Sequence, residues 1–178
     1  MKTLILCLII STCMAQEQLI YDFKSSENPE DWTIVNDGVM GGLSTSSINL
    51  NAEGHAVFLG NISLKNNGGF SSVRHFTNIS DVGDYKYINL KVRGNPSTYQ
   101  FRLKKKRGDY YSYVNTFEVT PTWKTMKLEI SEFYPTYRGR SLDLPNFEAM
   151  SIEEVTFLIG NKVVEEFKLE IDKIFLSN

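Results

Sequence analysis

Cysteine is nearly missing from this chain. Its two cysteines, Cys7 and Cys13, both fall in the first fifteen residues. Past them no disulfide, cysteine–zinc site or cysteine nucleophile can be built. Histidine is as scarce, with His55 and His75 alone. Ser71 and Ser72 lie close to His75, but neighbours on a strand alternate faces and do not form a triad. No HExxH helix, P-loop or dinucleotide fingerprint occurs. Positive charge is not in excess: 19 Lys and Arg face 21 Asp and Glu, a net charge of −2. That balance argues against a general nucleic-acid binder. After residue 15 no apolar run is long enough to span a membrane, and no long stripe of period 3.6 marks an amphipathic helix.

The first fifteen residues read as a secretory signal. Lys2 precedes an apolar run from Leu4 to Ile10, and small or polar residues lead to Ala15. Cleavage there predicts a secreted or periplasmic protein with one domain over 16–178 and no thiol. A second reading makes Cys13 a lipid-anchored first residue, with Thr12 a poor fit just before it. The apolar share of 42% and aromatic share of 12% suit a folded β-rich domain.

What the chain does have is alternation. Ile88, Leu90 and Val92 alternate with Tyr87, Asn89, Lys91 and Arg93; Tyr99, Phe101 and Leu103 alternate with Gln100, Arg102 and Lys104. Further runs are Tyr111 to Val119, Met126 to Ile130, Val155 to Ile159 and Phe167 to Ile171, with earlier candidates at Ile20–Phe23, Ser47–Leu50 and Ala56–Leu64. Period two marks strands with one buried face. Turn residues separate the runs, as in Asn66-Asn67-Gly68-Gly69 and Gly94-Asn95-Pro96. A short helical turn is predicted over Ser151–Val155, capped by Ser151, and 134–150 reads as a long connection. Eight to ten strands without covering helices predict an all-β sandwich of two antiparallel sheets, a jelly roll or, second, an up-and-down barrel. The polar sides of the Tyr87 and Tyr99 runs are expected to point one way from neighbouring strands. That face is either an ordinary wetted surface or a shallow groove for a sugar or peptide.

Three dense blocks stand out: Trp32 followed by Asn36-Asp37-Gly38-Val39-Met40-Gly41-Gly42 and Ser44; Asn66 to Arg74; and Phe133-Tyr134-Pro135-Thr136-Tyr137-Arg138-Gly139-Arg140. Their glycines read as turn residues. Met40 and Phe70 read as core plugs. Asp37 and Arg74 are read as a pair pinning two loops, or as charge shown to a ligand. Arg138 and Arg140 flank a glycine and suit an anionic partner, or else form a solvated loop. Lys104 to Arg107 beside Tyr110 and Tyr111 has the makings of a single-strand nucleic-acid surface, but Gly108 and the flanking strands make it a charged hairpin tip. The 21 acids include no singled-out pair for glycoside hydrolysis, and no Asp/Asn run marks a calcium loop.

Together with the terminal strand Phe167 to Ile174, the three blocks resemble the complex I intermediate-associated protein 30 family over residues 20–176. The resemblance implies a galactose-binding-like β-sandwich related in shape to carbohydrate-binding modules. It also implies assembly factors of respiratory complex I, chaperone-like partners without known catalysis. The leader departs from the transit peptide of a mitochondrial member. The expectation is a non-catalytic binding or assembly module without cofactor or metal. Its partner is a protein or assembly intermediate, or alternatively a carbohydrate at the cell envelope, and not nucleic acid. The candidate surface gathers Asp37, Asn67, Arg74, Arg138 and Arg140, with Arg102 and Tyr111 further out. If the blocks form one site, residues 36–44, 66–74 and 138–140 must converge.

Overall fold

A computed structural model describes residues 16–26, 28–148 and 150–178. The leader, both cysteines and the cleavage and anchoring readings that depend on them lie outside the described residues.

Alternation becomes thirteen strands: β1 (Glu17–Asp22), β2 (Trp32–Asn36), β3 (Thr45–Leu50), β4 (Ala56–Ile62), β5 (Ser71–Ile79), β6 (Tyr87–Gly94), β7 (Ser97–Lys104), β8 (Ser112–Val119), β9 (Lys124–Glu129), β10 (Tyr134–Tyr137), β11 (Arg140–Ser141), β12 (Ile152–Ile159) and β13 (Glu165–Ser177). A four-residue helix, α1 (Phe23–Ser26), and short 3-10 turns complete the described residues. No helix among them is long and apolar enough to cross a membrane.

The strands form two antiparallel sheets. One has the order β3-β4-β13-β6-β9, with β1 also paired to β13. The other has the order β11-β10-β8-β7-β12-β5-β2. Neighbours in space are mostly not neighbours in sequence, which is a jelly-roll sandwich and rules out an up-and-down barrel. The inner faces meet in one apolar core: Tyr99, Phe101 and Leu103 of β7 and Val155, Phe157 and Ile159 of β12 lie opposite Ile88, Leu90, Leu169 and Ile174, all fully buried.

In β13 the inward residues are Leu169 and Ile171, then Ile174 and Leu176. Strict alternation would turn the second pair outward. The register against β6 shifts between Ile171 and Lys173, and this bulge restores both to the core while leaving Asp172 on the outer face with Glu170.

Three expectations are corrected. Gly94-Asn95-Pro96 does not join neighbouring strands of one sheet. It carries the chain from β6 in one sheet to β7 in the other, so Tyr87, Asn89 and Lys91 face away from Gln100, Arg102 and Lys104. The predicted turn at Ser151–Val155 is instead the start of β12, because Ile152 and Val155 are both drawn into the core and a bulge between Ile152 and Glu154 accommodates them. The connection 134–150 holds β10 and β11, an edge ribbon built on β8.

Candidate functional site

The outer face of the seven-stranded sheet forms the floor of a cleft. Its strands set side chains in cross-strand rows. Arg74, Thr156, Arg102, Val114 and Tyr134 stand opposite one another in one row. Ser72, Leu158, Gln100 and Thr116 form the next, and Phe76, Glu154 and Lys104 a third. Loops and strand ends raise walls around this floor: Met40 before β3, Gly68 to Phe70 before β5, Tyr110 and Tyr111 before β8, Tyr137 at the end of β10 with Arg138 and Gly139 after it, and Lys162 before β13. The cleft so enclosed has a volume of about 580 Å³.

One wall is tied by a buried carboxylate. Asp37 is fully buried and accepts hydrogen bonds from Ser44 N at 3.0 Å, Gly69 N at 2.7 Å and Phe70 N at 3.3 Å, and from the Ser44 hydroxyl. This explains two glycines of the dense blocks. A Cβ on Gly42 would collide with the Asp37 side chain, and one on Gly68 would stand 2.6 Å from Asp37 Oδ2. Burial alone would raise the Asp37 pKa, but the bonds from Ser44, Gly69 and Phe70 outweigh it and hold the carboxyl below its usual value.

The floor is cationic. Glu154 is 5% exposed and sits 4.0 Å from Arg74 Nη1 and 3.8 Å from Lys104 Nζ. Arg102, in the centre, donates from Nε and Nη2 to Gln100 Oε1 at 3.0 and 2.6 Å. Burial lowers its pKa from the ordinary arginine value. Among the described residues no carboxylate lies within 4.0 Å of it. At one end Tyr110 packs edge-on against Tyr111 and Tyr137, with ring centroids 5.1 and 5.3 Å apart, and Arg138 lies over the Tyr137 ring. Tyr110 is 66% exposed, an aromatic surface left open at the rim.

Of the residues singled out in the sequence, Arg74, Arg102, Tyr111 and Arg138 line this cleft. Asp37 lies beneath the wall. It does pin two loops, but through amide and hydroxyl donors and not through Arg74, whose carboxylate neighbour is Glu154. Asn67 is exposed in the turn before Gly68, with φ at 59°, and takes no part in the lining. Arg140 is exposed on β11, outside the lining. Met40, at 58% exposed, and Phe70 stand at the wall and are not core plugs. Each of the three blocks thus contributes residues to one cleft. Glu154 escapes sequence reading because it falls inside the stretch expected to be a helical turn. Reading Glu154 and Thr156 as alternating with Val155 and Phe157 would have turned it to this face. Among the described residues no three His, Cys, Asp or Glu side chains cluster to hold a metal.

Residues 21–171 match the sequence model of the Complex I intermediate-associated protein 30 family. The chain belongs to that family. Among curated members, the Drosophila melanogaster protein named "Complex I intermediate-associated protein 30, mitochondrial" is 26% identical over 189 residues, covering 91% of this chain and 63% of its own length. A Caenorhabditis elegans protein named as a probable member is 28% identical over 183 residues, covering 89% of this chain and 53% of its own length. The chain therefore spans between half and two thirds of these relatives. In three dimensions this member of the family is similar to the family 11 carbohydrate-binding module of the cellulosomal cellulase Lic26A-Cel5E of Clostridium thermocellum. The TM-score is 0.68 at 17% identity, over 92% of this chain and 95% of that one. A part of the agarase AgWH50C gives 0.62 at 13% identity, over 91% of this chain and 24% of the agarase. At such identities the likeness establishes the fold, a galactose-binding-like jelly roll, and nothing of the ligand.

Proposed function

We propose that this chain is a non-catalytic binding module whose ligand, a carbohydrate strand, lies in the cleft of the seven-stranded sheet. The carrying observation is the company the cleft keeps: an open tyrosine surface at Tyr110 and Tyr137 beside the amide of Gln100, the hydroxyls of Ser72 and Thr156 and the charges of Arg74 and Arg102. Sugar rings need an aromatic face to stack on and a nearby set of hydrogen-bonding groups for their hydroxyls. Catalysis of glycoside cleavage requires two cooperating carboxylates. The described lining offers Glu154, already held between Arg74 and Lys104. Export by the leader of residues 1–15 would present the cleft to extracellular glycans.

A second reading has an observation of its own. The family match and the names of the relatives favour a module that docks a protein or an assembly intermediate. The test is a glycan array and polysaccharide pull-down with the mature protein, run beside an Arg74→Ala, Arg138→Ala double variant. Saturable binding that the variant loses supports the carbohydrate reading. No binding at high protein concentration overturns it, and crosslinking in situ then addresses the protein partner.

A further inference from the structure

The two outer faces of the sandwich differ in how their arginines and lysines are paired. On the six-stranded sheet Lys91 lies 2.6 Å from buried Asp172, and Arg93 and Lys168 each lie 2.7 Å from buried Glu170. Those three cations are neutralised by buried carboxylates, while Lys127 and Lys173 on the same face rest on the rings of Tyr87 and Phe175. In the cleft, five cations, Arg74, Arg102, Lys104, Arg138 and Lys162, share the lining with one carboxylate, Glu154. Glu154 reaches Arg74 and Lys104. Arg102, Arg138 and Lys162 have no carboxylate within 4.0 Å among the described residues. This concentration of positive charge stands in a chain whose net charge is −2.

We propose that the cleft takes an anionic polysaccharide, whose acidic groups, carboxylate or sulfate ester, are met by Arg102 on the floor and by Arg138 and Lys162 at the rim. The inference rests on the carbohydrate reading above and narrows it. Arg102 is the centre of the argument. Its guanidinium is half-buried on the cleft floor and held flat by two bonds to one oxygen of Gln100. Partly withdrawing a cation from water without a counter-charge carries a cost, and a ligand anion recovers it through charge-assisted hydrogen bonds. Arginine's planar fork suits a carboxylate or sulfate better than lysine's single ammonium does. Held against Gln100, it loses little further freedom on binding.

An acidic peptide fits less well. Extended peptides gain affinity by adding main-chain hydrogen bonds at a free sheet edge. The floor here is the face of β7, β12 and β5, each paired on both sides. A peptide laid across it finds side chains only, whereas a sugar chain asks for nothing else. The tyrosines supply faces for pyranose rings between the charged positions.

The experiment is calorimetric titration of the mature protein with four probes: oligogalacturonate, a sulfated galactan oligosaccharide, a neutral mixed-linked β-glucan oligosaccharide and poly-glutamate. One of the two acidic glycans is expected to bind at least about tenfold tighter than the neutral one, with affinity falling as salt is raised. Which of the two binds names the acidic group. Arg102→Met should weaken that binding by about tenfold or more, and Arg102→Lys should recover only part of it. Should Arg102→Met fail to fold, Arg138→Gln at the exposed rim gives the same sign and a shallower salt dependence. A neutral glycan that binds as well or better, insensitive to salt, overturns the inference and leaves the carbohydrate reading standing. Poly-glutamate binding as tightly as the acidic glycans overturns the carbohydrate reading. Failure of all four probes overturns both.

Discussion

The Lys91 ammonium reaches Asp172 at 2.6 Å because Asp172 is the outward residue of the β13 bulge. Without the register shift, either Asp172 or Ile174 would be on the wrong face. The same event that keeps Ile174 and Leu176 in the core therefore supplies the anchor for Lys91, and for Lys24 at 3.5 Å.

Asp172→Asn is expected to destabilise the fold by about 1–2 kcal/mol in urea titration at neutral pH, less than a fully buried pair because Lys91 is partly solvated. Burial would raise the Asp172 carboxyl, but the Lys91 bond and nearby cations dominate and hold it below the usual carboxylate range. A depressed carboxylate contributes stability above its unfolded value and loses it as pH falls through its folded value. The difference between wild type and Asp172→Asn should thus shrink as the titration is repeated from about pH 6 toward about pH 2.

Each histidine packs against a tryptophan: His55 on Trp123 at 4.6 Å and His75 on Trp32 at 5.1 Å between ring centroids. Burial, opposed by Asp172, lowers the His55 pKa below 6.5. The unfolded chain takes up that proton first, so stability should be full above about pH 7 and decline through about pH 6 and below, until the folded histidine also titrates. Denaturant titrations at these pH values check the slope, and His55→Gln should flatten it. Trp123 emission, isolated by Trp32→Phe, should report the protonation of His55 directly.

Asp37→Ala removes the acceptor for three amides and a hydroxyl. A loss of roughly 3 kcal/mol is expected, since buried donors left unpaired cost about 1–3 kcal/mol each and some find water. Gly68→Ala should mimic part of it by forcing a methyl toward Asp37 Oδ2. Thermal unfolding measures both. Both should also weaken ligand binding, because Gly69 and Phe70 belong to the cleft wall.

Arg74→Ala, Arg138→Ala should lose binding while folding normally. Arg138 is exposed and Arg74 half-exposed, so the stability change should stay within about 1 kcal/mol. A melting curve beside the binding isotherm separates the two effects.

The strands with clean alternation were legible: Tyr99, Phe101 and Leu103 have an inward side that nothing else explains. What escaped was partnership. Local pattern says that Tyr87–Gly94 and Ser97–Lys104 are strands, but their assignment to different sheets is decided by what β12 and β13 pair with, and both lie more than 45 residues further along. The bulges hide in the same way, since a one-residue slip looks in sequence like a fault in the pattern, and at Ser151–Val155 the apparent cap at Ser151 competes with the strand. Arg74, Arg102, Tyr111 and Arg138 line the cleft, and charge and aromaticity mark such residues one by one in the sequence. Asp37 pins two loops as the sequence suggests, but its partners are amides and a hydroxyl and not Arg74. Backbone amides are the same in every residue, so no sequence announces that Gly69 N is the donor it needs.

The central strand of the six-stranded sheet is also the last to be made. β13 is flanked by β4 and β1 on one edge and by β6 on the other. Until residues 165–177 leave the ribosome, β1, β4 and β6 have no common neighbour, and half the sandwich cannot close over the other half. Closing this sheet therefore depends on pairing segments far apart in sequence, which makes it an inherently slow step of folding.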